Sequence, residues 1–164
     1  MKIKTKKLVY ASLMAVIVMV CTLIVRIPTP AKGYMNLGDA AVLLCGWTMG
    51  PLFGFLSAGL GSFLADLAAG YAVYAPVTFL IKGLMALVAF YIHKLLKNHS
   101  FSAKLLSAVA AEIIMVGGYF VFESILYGAP TAALSVISNV IQGTFGIVAG
   151  IIFMTVLEKR NLLK

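Results

Sequence analysis

Long apolar runs, broken at a few polar points, make up most of this chain. The first covers residues 8–25. At about 1.5 Å of rise per residue it crosses a hydrocarbon core roughly 30 Å thick. A short second run covers 38–49, and Gly50-Pro51 then predicts a tight turn. A glycine-rich third run follows over 52–69 and a fourth over 76–96, where Pro76 suits a first helical turn. The fifth covers 105–127, and Gly128-Ala129-Pro130 marks the turn into the sixth, 131–157. Residues 26–37 (RIPTPAKGYMNL) are different. Pro28, Pro30 and Gly33 exclude a helix, and the loop is long for a bundle connection, which marks it as a lid. The pattern predicts an all-α membrane protein, a single domain over 1–164 with six helices. The second run, short enough for a tilted or partial crossing, is the least regular of them.

Composition agrees with this reading. Of 164 residues 62% are hydrophobic and 11% charged, and the mean hydropathy is +1.06. A water-soluble domain of this size has no interior large enough to hide so much apolar surface. The net charge of +8 resembles that of a nucleic-acid binder, but its placement excludes one. Lys2, Lys4, Lys6 and Lys7 precede the first run. Lys94, Lys97 and Lys104 surround the central break. Lys159, Arg160 and Lys164 follow the last run. Basic residues held at one face are a topology signal, so both termini are predicted to be cytoplasmic, with Arg26 and Lys32 outside. No basic polar surface remains for nucleic acid. The basic start resembles a signal peptide, but no small-residue cleavage site follows and the run is long enough to span.

Cysteine and histidine add little chemistry. Cys21 and Cys45 lie in apolar runs and read as small buried hydrophobes rather than a disulfide or metal pair. His93 and His99 fall in the basic break without further ligands and read as solvated or headgroup-facing. No metal site or cofactor is predicted. Trp47, near the inner turn, reads as an interfacial anchor as readily as a pocket residue. The chain shows no Walker lysine loop, nucleophile elbow or HExxH, so no catalytic activity is predicted.

The informative residues are the polar ones inside the runs, because charge within a membrane is costly and usually faces a cavity. Asp39, Asp66, Lys82, Glu123, Asn139 and Gln142 all read as lying in the outer half, and Glu112 deeper. Helical spacing puts Glu112, Val116, Tyr119 and Glu123 on one face. It does the same for Ser135, Asn139, Gln142 and Gly146, and for Lys82, Met85 and Ala89. Facing inward, these stripes would enclose a polar pocket open to the outside, covered by the loop that carries Tyr34 and Asn36. A buried network that only holds helices together is the alternative for Asp39, Asp66 and Lys82, an even one for Asp66 and the weaker one for Lys82. Whether Asp66 and Glu112 are structural or functional stays open at this point. The predicted substrate-binding residues are Tyr34, Asn36, Asp39, Lys82, Tyr119, Glu123, Asn139 and Gln142. The stretch from Tyr34 to Leu84 thus divides into a lid, a pocket rim and a packed glycine-rich scaffold.

The segment YMNLGDAAVLLCGWTMGPLFGFLSAGLGSFLADLAAGYAVYAPVTFLIKGL resembles the substrate-binding S components of energy-coupling factor (ECF) vitamin transporters. MVGGYFVFE in the fifth run and NVIQG in the sixth resemble them too. The likeness covers nearly the whole chain and lies nearest the branch assigned to hydroxymethylpyrimidine or pyridoxine. It implies a multi-pass protein of a bacterial cell membrane, surrounded by lipid, that captures a vitamin outside. It also implies partners: a transmembrane T component and two ATPase subunits that supply the energy while the S component topples. Ala11 and Ala15 match the small-residue motif by which the first helix docks on the T component. From spacing alone, packing within the chain is the better account of those two alanines. The alternatives are a stand-alone channel or facilitator, which calls for a polar stripe through the whole membrane, and an intramembrane enzyme using Asp66 or Glu123 as a base.

Overall fold

The computed structural model describes residues 2–29, 32–96 and 100–160, and side chains from residue 5 onward. Lys97, His99 and Lys164, and the side chains of Lys2 and Lys4, lie outside the described residues. Six helices follow in order: α1 (Lys2–Ile24), α2 (Gly38–Met49), α3 (Pro51–Ala69), α4 (Ala75–Leu95), α5 (Phe101–Tyr127) and α6 (Ala129–Lys159). Local chemistry sets several ends. Pro51, Pro76 and Pro130 stand in first helical turns, where a missing N–H costs nothing. Gly70 closes α3 in the left-handed conformation, φ 84°. Ser100 caps α5, its hydroxyl accepting from the Ala103 N–H at 3.0 Å. That cap starts α5 four residues earlier than expected and draws Lys104 into the helix.

Helices α1, α3, α4, α5 and α6 form a curved wall in which each packs on the next except α1 and α6, which α2 bridges. Five of the six helices are long and apolar enough to cross a membrane. α2, with 12 residues, is about 18 Å long and falls short. Its position explains this. Asp39, at its start, lies against Gly146, more than halfway along α6, so the preceding loop dips to mid-depth before α2 begins. α2 covers only the inner half of the bundle, touching α1, α3, α4 and α6. Asp39 was expected just inside the outer surface and is found at mid-depth.

Close approach depends on glycines where helices cross. A Cβ on Gly46 would stand 2.5 Å from the Ala86 carbonyl oxygen, and one on Gly61 2.4 Å from that of Ala15. Leu43, Met85, Met115 and Val18 fill the centre completely. Below that layer the structure departs from expectation, because the inner half is not purely apolar. The Trp47 indole donates to Ser107 Oγ at 3.0 Å, and His93 is buried with its ring 5.8 Å from that of Trp47. Lys104 is buried and paired with Glu158. Trp47 and His93 are therefore core residues, not an interfacial anchor and a headgroup-facing histidine. The Trp47 indole and the Lys104 ammonium each find a partner on a neighbouring helix, which makes their burial tolerable.

Candidate functional site

The lid loop is a small hairpin. Ile27–Pro28 pairs antiparallel with Tyr34–Met35, and the Thr29 N–H donates to the Gly33 carbonyl at 2.9 Å. Two-residue strands carry no alternation to read, so the sequence predicted only an irregular loop. Lys32 holds a left-handed backbone, φ 60°. Two bonds hold the loop down, and a third fixes its end. The Tyr34 hydroxyl donates to Asp66 Oδ1 at 2.7 Å on α3, and the Asn36 N–H donates to Gln142 Oε1 at 2.8 Å on α6. Asn36 Oδ1 accepts from the Gly38 N–H at 2.8 Å, fixing the entry to α2. Burial and the Asp66 carboxylate push the Tyr34 phenol above its ordinary range, so it remains a donor at physiological pH.

Beneath this lid the helices enclose a cavity of about 30 Å³, the space of roughly one water. Tyr34, Asn36, Lys82, Tyr119, Glu123, Asn139 and Gln142 all line it. Of the eight predicted pocket residues only Asp39 does not. It lies beneath, fully buried, ion-paired with Lys82 and accepting from Gln142 Nε2 at 2.6 Å. Asp39 thus orients two residues of the cavity floor. Asp66, expected in the scaffold, lines the cavity and anchors the lid at once.

Further lining residues escaped the sequence reading. Thr22, Ser62 and Thr78 carry the small hydroxyls that apolar helices often spend on their own backbone, so their positions gave no signal. Thr22 does this, donating to the Val18 carbonyl at 2.8 Å. Tyr74 comes from the α3–α4 turn, where the Tyr71 N–H donates to the Asp66 carbonyl at 2.8 Å and the Tyr74 N–H to that of Tyr71 at 2.9 Å. The turn builds an aromatic wall. The Tyr34 and Tyr71 rings lie 4.7 Å apart, and Tyr74 stands edge-on to Phe122 at 5.3 Å. Gly33 fits between Tyr74 and Glu123, where a Cβ would lie 3.5 Å from each.

The polar groups around the cavity are only partly satisfied. The Tyr74 hydroxyl donates to Glu123 Oε1 at 3.4 Å, and the hydroxyls of Thr78 and Tyr119 meet at 3.1 Å. Lys82 Nζ lies 5.6 Å from the centre of the Tyr119 ring. Among the described residues, Ser62 Oγ, Asp66 Oδ2 and Glu123 Oε2 are buried without a hydrogen-bond partner. Orphaned polar groups of this kind are rare in folded proteins. Here three of them come from residues that line one cavity.

The model of the family described as "ECF-type riboflavin transporter, S component" matches residues 2–159. The chain belongs to this family. A solved structure described as the S component of a bacterial ECF transporter superposes with a TM-score of 0.72. It covers 98% of this chain and 99% of that one at 23% identity, and so shares the fold. An uncharacterized protein from Pyrococcus woesei is 37% identical over 144 residues, 87% of this chain and 95% of the relative. The thiamine precursor transporter HmpT of Lactococcus lactis subsp. cremoris is 26% identical over 137 residues, 84% of this chain and 77% of that protein. This S component is thus a multi-pass membrane protein and the substrate-binding subunit of a vitamin transporter, not a catalytic enzyme.

The two predicted docking alanines sit differently from expectation. Ala11 is buried against α3, its carbonyl accepting from Ser57 Oγ at 2.8 Å. Ala15 is half-buried where Gly61 approaches α1. These alanines serve the α1–α3 contact, while Ser12, Leu13 and Val16 between and beside them point outward. An A-x-x-x-A pattern marks a close helix contact without saying whose helix makes it.

Proposed function

We propose that this S component captures a small polar heterocycle of the hydroxymethylpyrimidine or pyridoxine class on the outer side of the cell membrane. The observation that carries this reading is the set of orphaned acceptors around the cavity. Asp66 Oδ2 and Glu123 Oε2 both call for a donor, and Ser62 Oγ can meet either a donor or an acceptor. A ring bearing an amino or hydroxymethyl group supplies such donors. Tyr34, Tyr74 and Tyr119 supply flat apolar surface for the ring itself. Asn139 adds an amide that can donate to a ring nitrogen, and Gln142, held by Asn36 and Asp39, sets the polar floor. The likeness to HmpT supports the same class. At about 30 Å³ the closed cavity admits a ring only when the hairpin lid moves.

Delivery, in this proposal, uses a T component and two ATPase subunits, with the S component toppling to bring its pocket inward. The docking surface is the outward side of α1 around Ser12, Leu13 and Val16, with Ala11 and Ala15 setting how closely α1 lies on α3. The packed layer of Leu43, Met85 and Met115 below the cavity counts against a stand-alone channel.

The test is calorimetric titration of the purified protein with hydroxymethylpyrimidine, pyridoxine and riboflavin in turn. The proposal expects one of the two single-ring compounds to bind at least about a hundredfold tighter than riboflavin, some 2.7 kcal/mol of difference. Preference for riboflavin would overturn the substrate class while leaving the family intact.

A further inference from the structure

Glu112 takes no part in the cavity, the lid or the helix contacts described so far. It is 6% exposed at the middle of α5, and among the described residues neither carboxylate oxygen has a hydrogen-bond partner. Its surroundings are specific. The face of α6 that covers it is glycine: a Cβ on Gly143 would lie 3.0 Å from Oε2, and one on Gly146 3.0 Å from Oε1. The same Cβ on Gly146 would lie 2.7 Å from Asp39 Cβ, so a single methyl group would touch both acids. Asp39 on α2 stands on the other side of Gly146, and Lys82 on α4 is the cation ion-paired with it. Lys82 is already committed to Asp39, and Gln142 occupies the second Asp39 oxygen.

Two carboxyl groups and one ammonium are therefore enclosed together at mid-membrane depth. With both acids ionised the group carries a net negative charge, surrounded by helices and lipid that cannot solvate it. With one proton added the net charge is zero. We propose that Asp39 and Glu112 form a coupled proton-binding site in which one proton neutralises one of the two carboxylates, its occupancy governed by Lys82. The balance is simple: one proton neutralises one carboxylate, and the other carboxylate is neutralised by the ammonium. Whatever draws Lys82 upward into the cavity leaves two acids without their cation, and the site then takes a second proton. The substrate pocket and the proton site share Lys82, and any group that competes with Asp39 for that ammonium couples the two. This inference does not depend on which compound the pocket accepts.

The test is infrared spectroscopy of the ligand-free protein in detergent at neutral pH, reading the carbonyl stretch of protonated carboxyl groups. Glu112→Gln and Asp39→Asn are each expected to lose one carboxyl equivalent of that absorption relative to wild type. In either variant the remaining acid pairs with Lys82 and ionises. Lys82→Met is expected to gain one equivalent. It decides the matter by the opposite sign should Asp39→Asn not remain monodisperse. Loss in Glu112→Gln but not in Asp39→Asn would overturn the proposal, because Glu112 would then hold its own proton without coupling to Asp39. Unchanged absorption in Glu112→Gln, or no gain in Lys82→Met, would overturn it as well.

Discussion

Replacing Tyr34 by Phe isolates the bond that latches the lid. The ring stays, and with it the contact to Tyr71 at 4.7 Å between centroids. Only the hydroxyl that donates to Asp66 Oδ1 at 2.7 Å is lost. Asp66 is 4% exposed and its other oxygen already lacks a partner, so the Tyr34 hydroxyl is the donor by which the lid meets this carboxylate. A hydrogen bond to a charged group is worth about 1.5–3 kcal/mol. The remaining tether, the Asn36 N–H to Gln142, contributes roughly 0.5–1.5 kcal/mol and is untouched. The closed-to-open ratio of the lid should therefore fall by roughly ten- to a hundredfold, at 1.4 kcal/mol per factor of ten. Hydrogen exchange read by mass spectrometry is the assay. The amides of Thr29 and Asn36 should exchange faster in Tyr34→Phe by about that factor, while amides in the middle of α4 stay unchanged. Equal exchange in the lid of both proteins would refute the latch. Faster exchange everywhere would show that Tyr34 supports the whole bundle instead.

Other expectations follow from the same geometry. Ala11→Trp should unseat α1 from α3 and lower the melting temperature, an overpacking cost of about 1–3 kcal/mol; Leu13→Trp, on the outward face, should leave stability unchanged and impair only uptake in the assembled transporter. Wild-type stability in Ala11→Trp would contradict the burial of that residue. Gly146→Ala places a methyl group 2.7 Å from Asp39 Cβ, next to the backbone of α2 where little can give. It should cost about 1–3 kcal/mol in thermal unfolding, and a neutral result would mean α6 slides freely over α2. Glu123→Ala and Asn139→Ala should each weaken substrate binding by roughly 1–3 kcal/mol, as measured by titration. Unchanged affinity in both would move the binding site elsewhere.

The helices were legible because lipid demands long apolar runs, and the basic residues between them are what the expected orientation rests on. What depended on packing rather than on runs was less so. α2 reads as a short span, but its starting depth follows from a loop that dips into the bundle, and no composition shows that. Lys104 looks like a residue of a cytoplasmic loop until Ser100 caps the helix ahead of it and Glu158 meets it from α6. The cavity was legible where costly side chains fell on one helical face: Lys82, Tyr119, Glu123, Asn139 and Gln142. Tyr74 was not, because a turn rather than a periodicity brings it in. Asp39 and Asp66 show the limit most clearly. Both are acids in apolar surroundings, yet one lies beneath the cavity as a counter-ion and the other faces it, and only the depth of α2 decides which.

The central claim is that the cavity under the hairpin holds a small heterocycle in contact with Glu123 and Asn139. Mass spectrometry of the small molecules that remain with the protein after gentle purification tests it most directly, with Glu123→Ala and Asn139→Ala prepared in parallel. The account predicts a single-ring pyrimidine or pyridine compound in the wild-type preparation, depleted in both variants. A flavin, or a compound retained equally by all three proteins, would contradict it.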